Sequence, residues 1–394
     1  MTTNQDVFIV SVARTPIGSF RGTLSALTAP QLGSIAIKGA LERAGISGKD
    51  VDEVYFGNVL QAGVGQAPAR QASIGAGIPV TVGCTTINKV CASGMKAIML
   101  SAQSIRLGDN QVVVAGGMES MSQTPYYQTR GETPYGGITL ADGIVIDGLT
   151  DVYSHTHMGL CTEGLALKYG LTREAQDQFA TQSYRRSAKA AGAGVFVEEI
   201  VPVVIPGKRG KPDVTVTEDE EFKKVNFERM SSLAPVFKKD GTGTITAANA
   251  SSLNDGAAAT VLMSAAAVKK FGAKPLAKVV AFADAGVEPA DFGIAPAYAV
   301  PKVLAKAGVE KSQIAHWEFN EAFSAVGLAN IKHLDLNPDK VNPNGGAVAL
   351  GHPLGCSGAR IVNHLALHLK PNEYGMAAIC NGGGGASALM IHKL

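Results

Sequence analysis

Charge is scarce in this chain. Only 17% of its 394 residues are Asp, Glu, Lys or Arg, and 35 basic against 33 acidic residues leave a net charge of +2. So small a bias excludes an electrostatic grip on nucleic acid or on an anionic membrane surface. No apolar run reaches the ~18 residues that a helix needs to cross a bilayer. The five cysteines, at 84, 91, 161, 356 and 380, include no Cys-x-x-Cys pair. An odd number without that spacing excludes a disulfide scaffold and a zinc ribbon, and suits a reducing compartment in which any special cysteine is a reactive thiol. Met1 to Gln5 is short and polar, and no Arg-rich or apolar targeting segment is expected there.

Glycine, in contrast, is abundant: 46 residues, well above the usual share of ~7%. The glycines cluster, which points to backbone that must approach a ligand closely. Hydrophobic residues make up 46%, and at ~150 residues per domain the length suits two or three domains.

The chain carries a weak internal repeat. Leu41 to Ile46 ends one helical pattern and Leu304 to Val309 another; Val54 to Asn58 and His316 to Asn320 then read as buried strands. Asn58 follows Gly45 by 13 residues and Asn320 follows Gly308 by 12; Cys91 follows Asn58 by 33 and His352 follows Asn320 by 32. Each of these leads into a helical pattern, Ser93 to Leu100 and Ser357 to Val362, and then a strand ending in glycines, Val112 to Gly117 and Ala377 to Gly383. Helices alternating with short apolar runs predict an α/β fold with a largely parallel sheet, built from two similar halves. The halves are 1–118 with 247–272, and 273–394. Residues 119–246 fit neither half. This stretch holds an amphipathic helix from Arg173 to Ala190, a turn at Lys208 to Pro212 and a solvated acidic run at Glu218 to Glu221. It reads as an inserted domain that covers a site and mediates assembly.

Three residues stand out chemically. Cys91 precedes a helix, whose N-terminus favours an anion, and Lys89 adds nearby positive charge, so a lowered thiol pKa and a nucleophilic role are expected. A buried core cysteine remains the alternative from local sequence. His352 lies between glycines and a proline, displayed where it can take a thiol proton, or alternatively bonded to backbone. Cys380 ends a strand before Asn381-Gly382-Gly383-Gly384-Gly385, whose amides can hold an oxyanion; too little chain follows for a dinucleotide-binding unit, and Gly63 to Pro68 lacks that fingerprint's third glycine. Asn320 either orients a water or, the better local reading, caps a helix beginning near Ala322. Glu321 suits a buried donor. His155 with His157, and His364 with His368, have no carboxylate or thiol at metal-site spacing.

Together these segments closely resemble the thiolase family, in its short-chain, acetoacetyl-CoA-using branch. The matching stretches are Val12 to Gly18, Asn88 to Ala97, Asn249 to Ala257, Asn320 to Phe323, Gly351 to Gly358 and Cys380 to Ala386. The resemblance implies a layered αβαβα fold and a reversible condensation of two acetyl-CoA to acetoacetyl-CoA and CoA; a broader range that includes 2-methylacetoacetyl-CoA is the other reading. It implies that Cys91 takes up the acyl group and that His352 activates it. His352 and a water held by Asn320 would stabilise one oxyanion, and the amides of Cys91 and Gly382 a second. Cys380 would move the α-proton. Leu149, His157, Met158, Ala247, Ser251, Ala322 and Phe323 would line the CoA site. The match is nearest the mitochondrial, potassium-activated type, in which Tyr184, Ala247, Ala248, Ala250 and Val348 would bind K⁺; no obligatory cofactor is implied. Tyr126 to Gly137 resembles the loop that joins dimers into a homotetramer. The implied compartment is the mitochondrial matrix or the cytoplasm. Cys356 is given a packing role.

Overall fold

A computed structural model describes residues 5–132, 135–207 and 210–394. Met1 to Asn4, Thr133-Pro134 within the expected assembly loop and Lys208-Arg209 within the expected turn lie outside the described residues.

The first half runs β1 (Val7–Arg14), β2 (Gly18–Ser19), α1 (Ala29–Ala44), β3 (Glu53–Gly57), β4 (Gly83–Ile87), α2 (Ser93–Leu107) and β5 (Val112–Ser120). After the insert, with α3 (Met158–Tyr169) and α4 (Arg173–Gly192), the chain returns as β6 (Asn254–Ser264). The second half runs β7 (Ala277–Gly286), α5 (Pro296–Ala307), β8 (Ile314–Phe319), α6 (Ser324–Leu334), α7 (Leu354–His368), β9 (Tyr374–Asn381) and β10 (Gly385–Lys393). Local signals set these limits. Thr28 caps α1 with a reciprocal bond to Gln31, and Gly45 ends it at φ +67°.

The strands form one sheet in the order β8-β9-β10-β7-β1-β6-β5-β3-β4, with β2 beside β6. It is not the largely parallel sheet expected, because five of these eight neighbouring pairs are antiparallel, β9 for one turning straight back into β10 without a crossover helix. Each half repeats one pairing scheme: β1 antiparallel to β6, β6 to β5, then β5 parallel to β3 and β3 to β4. Its counterpart is β7 antiparallel to β10, β10 to β9, then β9 parallel to β8. Val341 bridges parallel to Trp317 where the first half has β4. The halves meet where Phe8 and Ile9 pair with Lys278 and Ala277.

Strand alternation explains the layering. On β5, Val113 and Ala115 face a central core while Val112 and Val114 face an outer one. On β10, Leu389 and Ile391 face the same central core, and Ala388 and Met390 a second outer one. The central core holds α2 and α7, which contact strands of both halves; α1 covers one outer face and α5 the other. The result is α, β, α, β, α.

The two central helices touch backbone to backbone. A Cβ on Gly94 of α2 would stand 2.7 Å from the Gly355 carbonyl, and one on Gly358 of α7 2.6 Å from the Met95 nitrogen. Only glycine fits at such a crossing.

The insert leaves after Ser120, two residues beyond the expected limit, and α4 runs to Gly192 rather than Ala190. The acidic run is not a solvated face. Asp219 is buried and grips Arg14 with both oxygens, at 2.7 and 2.9 Å, while Glu220 accepts the amides of Ser19 and Thr23. These carboxylates bind the insert to the first half, which composition cannot reveal.

Two glycine replacements test the packing. Gly358→Ala gains about 1 kcal/mol of helix propensity but overpacks the crossing at about 1–3 kcal/mol, so a net loss in denaturant midpoint is expected. Gly164→Ala on α3 meets nothing within 4 Å and should gain up to about 1 kcal/mol. Equal effects would contradict the crossing geometry.

Candidate active site

Cys91 stands two residues before α2, and His352 two before α7. Because these helices are adjacent and duplicated, both residues open onto one cavity of about 410 Å³. Val90 is held at φ +47°, which a β-branched residue avoids, and this sharp turn delivers Cys91 to the helix start. No side chain caps α2; its first residue, Ser93, donates its amide to the Val90 carbonyl. Asn58 and Asn320 end the corresponding strands. Between them and the helices sits Glu119, a buried carboxylate that accepts Asn58 Nδ2 and the amides of Val59, Leu60 and Gly355. Burial pushes Glu119 up to about 7. Its four donors fix the start of α7 against the first half.

The expected lowering of the Cys91 pKa is not what the structure shows. Burial pushes the thiol up to about 12, opposed by its own amide and by the Gly382 amide at the sulfur. Lys89 does not help, because its ammonium is bound to Asp284 at 2.6 Å, to Ser387 and to the Ala386 carbonyl. Cys380, at the end of β9, is buried and faces Cys91: burial raises its pKa, and the Cys91 charge raises it further. The resting site therefore holds two neutral thiols.

His352 is neutral as well. Burial, with the charge of Arg360, pushes it down to about 3. Its amide donates to Asn254 Oδ1 at 2.8 Å, and Gly351 before it sits at φ +102°, packed on that asparagine. Ser357 Oγ lies 2.6 Å from Nδ1 and itself donates to the Pro353 carbonyl at 3.0 Å. Its hydrogen being committed, Ser357 accepts from Nδ1–H, which leaves Nε2 as the basic nitrogen. Asn320 Nδ2 lies 3.4 Å from Nε2. Asn320 is not a helix cap: α6 begins at Ser324, with Phe323 at the cap position. Glu321 accepts from Ser183, Asn342 and the Val348 amide, a buried structural role.

All seven residues expected to line the substrate site, Leu149, His157, Met158, Ala247, Ser251, Ala322 and Phe323, form walls of the cavity with Cys91 and His352. Phe237 was not foreseen. It stacks on His157 at 4.8 Å and meets Phe323 edge-on at 6.2 Å. His157 caps α3 by accepting the Gly159 amide, which accounts for it without a metal. Ser357, Asn254 and Glu119 were also missed; Ser357 lies five residues after His352, in the first turn of α7, a proximity that is visible in the sequence.

Of the five residues expected around K⁺, Tyr184 and Val348 pack in one small cluster with Ala248 against it. Tyr184, Ala247 and Ala248 line a second cavity of about 300 Å³. Cys356 is buried in the central core, a packing position.

The models of the thiolase N-terminal and C-terminal domains match residues 7–266 and 273–393. The chain is 62% identical to the mitochondrial acetyl-CoA acetyltransferases of Xenopus tropicalis and Bos taurus, over 100% of this chain and 93% and 92% of theirs. The human mitochondrial enzyme of that name is 61% identical over 100% of this chain and 91% of its own. The structure of a thiolase from Ascaris suum, in complex with coenzyme A, superposes with a TM-score of 0.95 at 52% identity, covering 99% of this chain and 100% of that one. The two halves, their shared cavity and these full-length matches place the chain in the thiolase family.

Proposed function

We propose that the protein is an acetyl-CoA C-acetyltransferase, joining two acetyl-CoA into acetoacetyl-CoA and CoA and catalysing the reverse thiolysis. The observation that carries this is that Cys91 and His352 line one largely apolar cavity while Cys380 and the Gly382 amide stand at the Cys91 sulfur.

The resting neutrality of the site gives the order of events. Nε2 of His352 takes the Cys91 proton as the sulfur attacks the thioester carbon. The C–S bond to CoA breaks, and the same proton passes to the departing CoA thiolate. The carbonyl oxygen turns anionic during this step, and donors held in advance stabilise it with little reorganisation. Burial is the larger reason that Cys380 is protonated, and acetylation of Cys91 removes the smaller one, since an acetylated sulfur can carry no like charge beside it. Nε2 of His352 takes the proton of Cys380, and the thiolate so formed takes the α-proton of the second acetyl-CoA. The carbanion attacks the acetyl carbon, the Cys91–acetyl bond breaks, and the proton on His352 passes to the departing Cys91 thiolate, leaving both thiols neutral again. The amides of Cys91 and Gly382 face the sulfur and serve the oxyanion on the acetyl group. With the Cys380 proton on its Nε2, His352 and a water held by Asn320 serve the thioester oxygen of the incoming acetyl-CoA. Phe237 and Phe323 close the apolar wall around the CoA arm.

K⁺ fits its expected ligands. The Tyr184 phenol and the carbonyls of Ala247, Ala248, Ala250 and Val348 accept no hydrogen bond among the described residues, and carbonyl oxygens suit this ion. Burial, and after it the nearby Glu221 and Glu321 carboxylates, push the phenol up to about 12. Bound there, K⁺ would supply charge balance that orders the Ala247–Ser251 wall of the substrate cavity. Exposed Tyr126, Ile138 and Leu140 on the insert suit burial in a homotetramer. The names of the relatives support a mitochondrial location, and the matrix is the compartment we propose.

Three outcomes test this reading. Cys380→Ala should still acetylate Cys91, seen by peptide mass spectrometry, while condensation falls by at least ~10²-fold, the lower end for losing a general base; condensation near the wild-type rate overturns the role.

The His352 base is neutral above its lowered pKa. Acetylation of Cys91 should therefore hold its rate as pH falls from about 7 to 5, where an ordinary histidine (about 6.5) would lose it. Ser357→Ala, which frees the ring to adopt the other tautomer, should slow this step with little change in acetyl-CoA KM. A rate falling through about pH 6.5 contradicts the burial argument.

Thiolysis in KCl should exceed that in NaCl at matched ionic strength, with tighter CoA binding. Equal rates and affinities reject the ion.

A further inference from the structure

His364 and His368 stand four residues apart on α7, so both imidazoles leave the same face of the helix. The sequence offers no carboxylate near them, but the fold brings Glu199 of the insert across 165 positions to Nδ1 of His364. The same oxygen, Oε1, lies 3.0 Å from Nε2 of His368. One nitrogen of each ring and a carboxylate oxygen thus converge within 4.8 Å of one another.

The surroundings hold these atoms as outer partners do at metal centres. Arg14 Nε donates at 2.6 Å to the other oxygen of Glu199, and Arg14 is itself matched by the bidentate Asp219. The Asn344 amide lies 3.0 Å from the second nitrogen of His364. Glu199 and His364 are buried, whereas His368 keeps 16% of its side chain exposed and gives the way in.

We propose that Glu199, His364 and His368 form a binding site for a divalent transition-metal ion of the zinc type, separate from the thiol chemistry. Two imidazoles and a carboxylate are a donor set that suits zinc and cobalt rather than magnesium. Binding needs no net proton loss. Each ring shifts its hydrogen to its other nitrogen, and Asn344 turns its amide oxygen to accept the one on His364. A bound ion would tie the insert to α7, the helix that begins two residues after His352.

The full-length protein is freed of metal by chelator dialysis and titrated with Zn²⁺, Co²⁺ or Mg²⁺. Zn²⁺ should raise the unfolding temperature by at least about 2 °C, with Mg²⁺ ineffective. Co²⁺ should give the intense visible bands of a four-coordinate ion, without a thiolate charge-transfer band. His368→Ala should lose both responses while still acetylating Cys91. The proposal is overturned if the wild type shows no response, if His368→Ala responds equally, or if the cobalt spectrum carries a thiolate band that Cys91→Ala abolishes.

Discussion

The contact on which the rest of the molecule depends is the glycine-lined crossing of α2 and α7. Gly94 and Gly358 let two helices from the two halves approach to backbone distance in the middle layer. A side chain at either position would drive the helices apart, since a packed interior has little slack. The approach sets the two helix starts beside each other, and each carries one reactive side chain. Duplication alone gives two similar halves; the crossing turns them into one site with two different groups in it.

Burial then decides the electrostatics. Cys91, Cys380 and His352 are withdrawn from water, and desolvation holds all three neutral. A permanent thiolate–imidazolium pair would be favoured only if Coulomb attraction exceeded that cost. Here the charge appears during the reaction, where amides and Asn320 are already in place. The nearest lysine is spent elsewhere: Lys89 and Lys96 both bind Asp284 and hold the latter well below the usual carboxylate range, at about 2.

Much of the architecture was legible because it rests on local chemistry. Strand periodicity, glycine stops and the repeated spacing located Cys91 and His352 at equivalent helix starts. What was not legible depends on distant partners. Lys89 looked like a neighbour of the thiol, but its stem reaches Ser387 and Asp284. Asn320 looked like a cap, but the chain runs on to Ser324 before the helix begins. Asp219 looked solvated until Arg14 met it. Glu199 appeared in no motif, since its partners lie far along the chain. In each case residue type gave the chemistry on offer, and the tertiary fold chose the recipient.

The insert has a counterpart in the second half. Where β9 and β10 are joined by Gly382, Gly383 and Gly384, β5 and β6 are joined by residues 121–253. Ser120 and Asp255 are paired across the sheet, so the chain leaves and re-enters the core at neighbouring points. Ends held together this closely by a ladder make the length between them nearly irrelevant to closure entropy, which grows only logarithmically. The molecule thus has the anatomy of a cassette: a fixed frame that carries the reactive groups, and an interchangeable piece that supplies most of the substrate wall. Changes within that piece can reshape the substrate wall while the helix crossing stays in place, provided that Asp219 and Glu199 remain to pair the buried Arg14 of the frame.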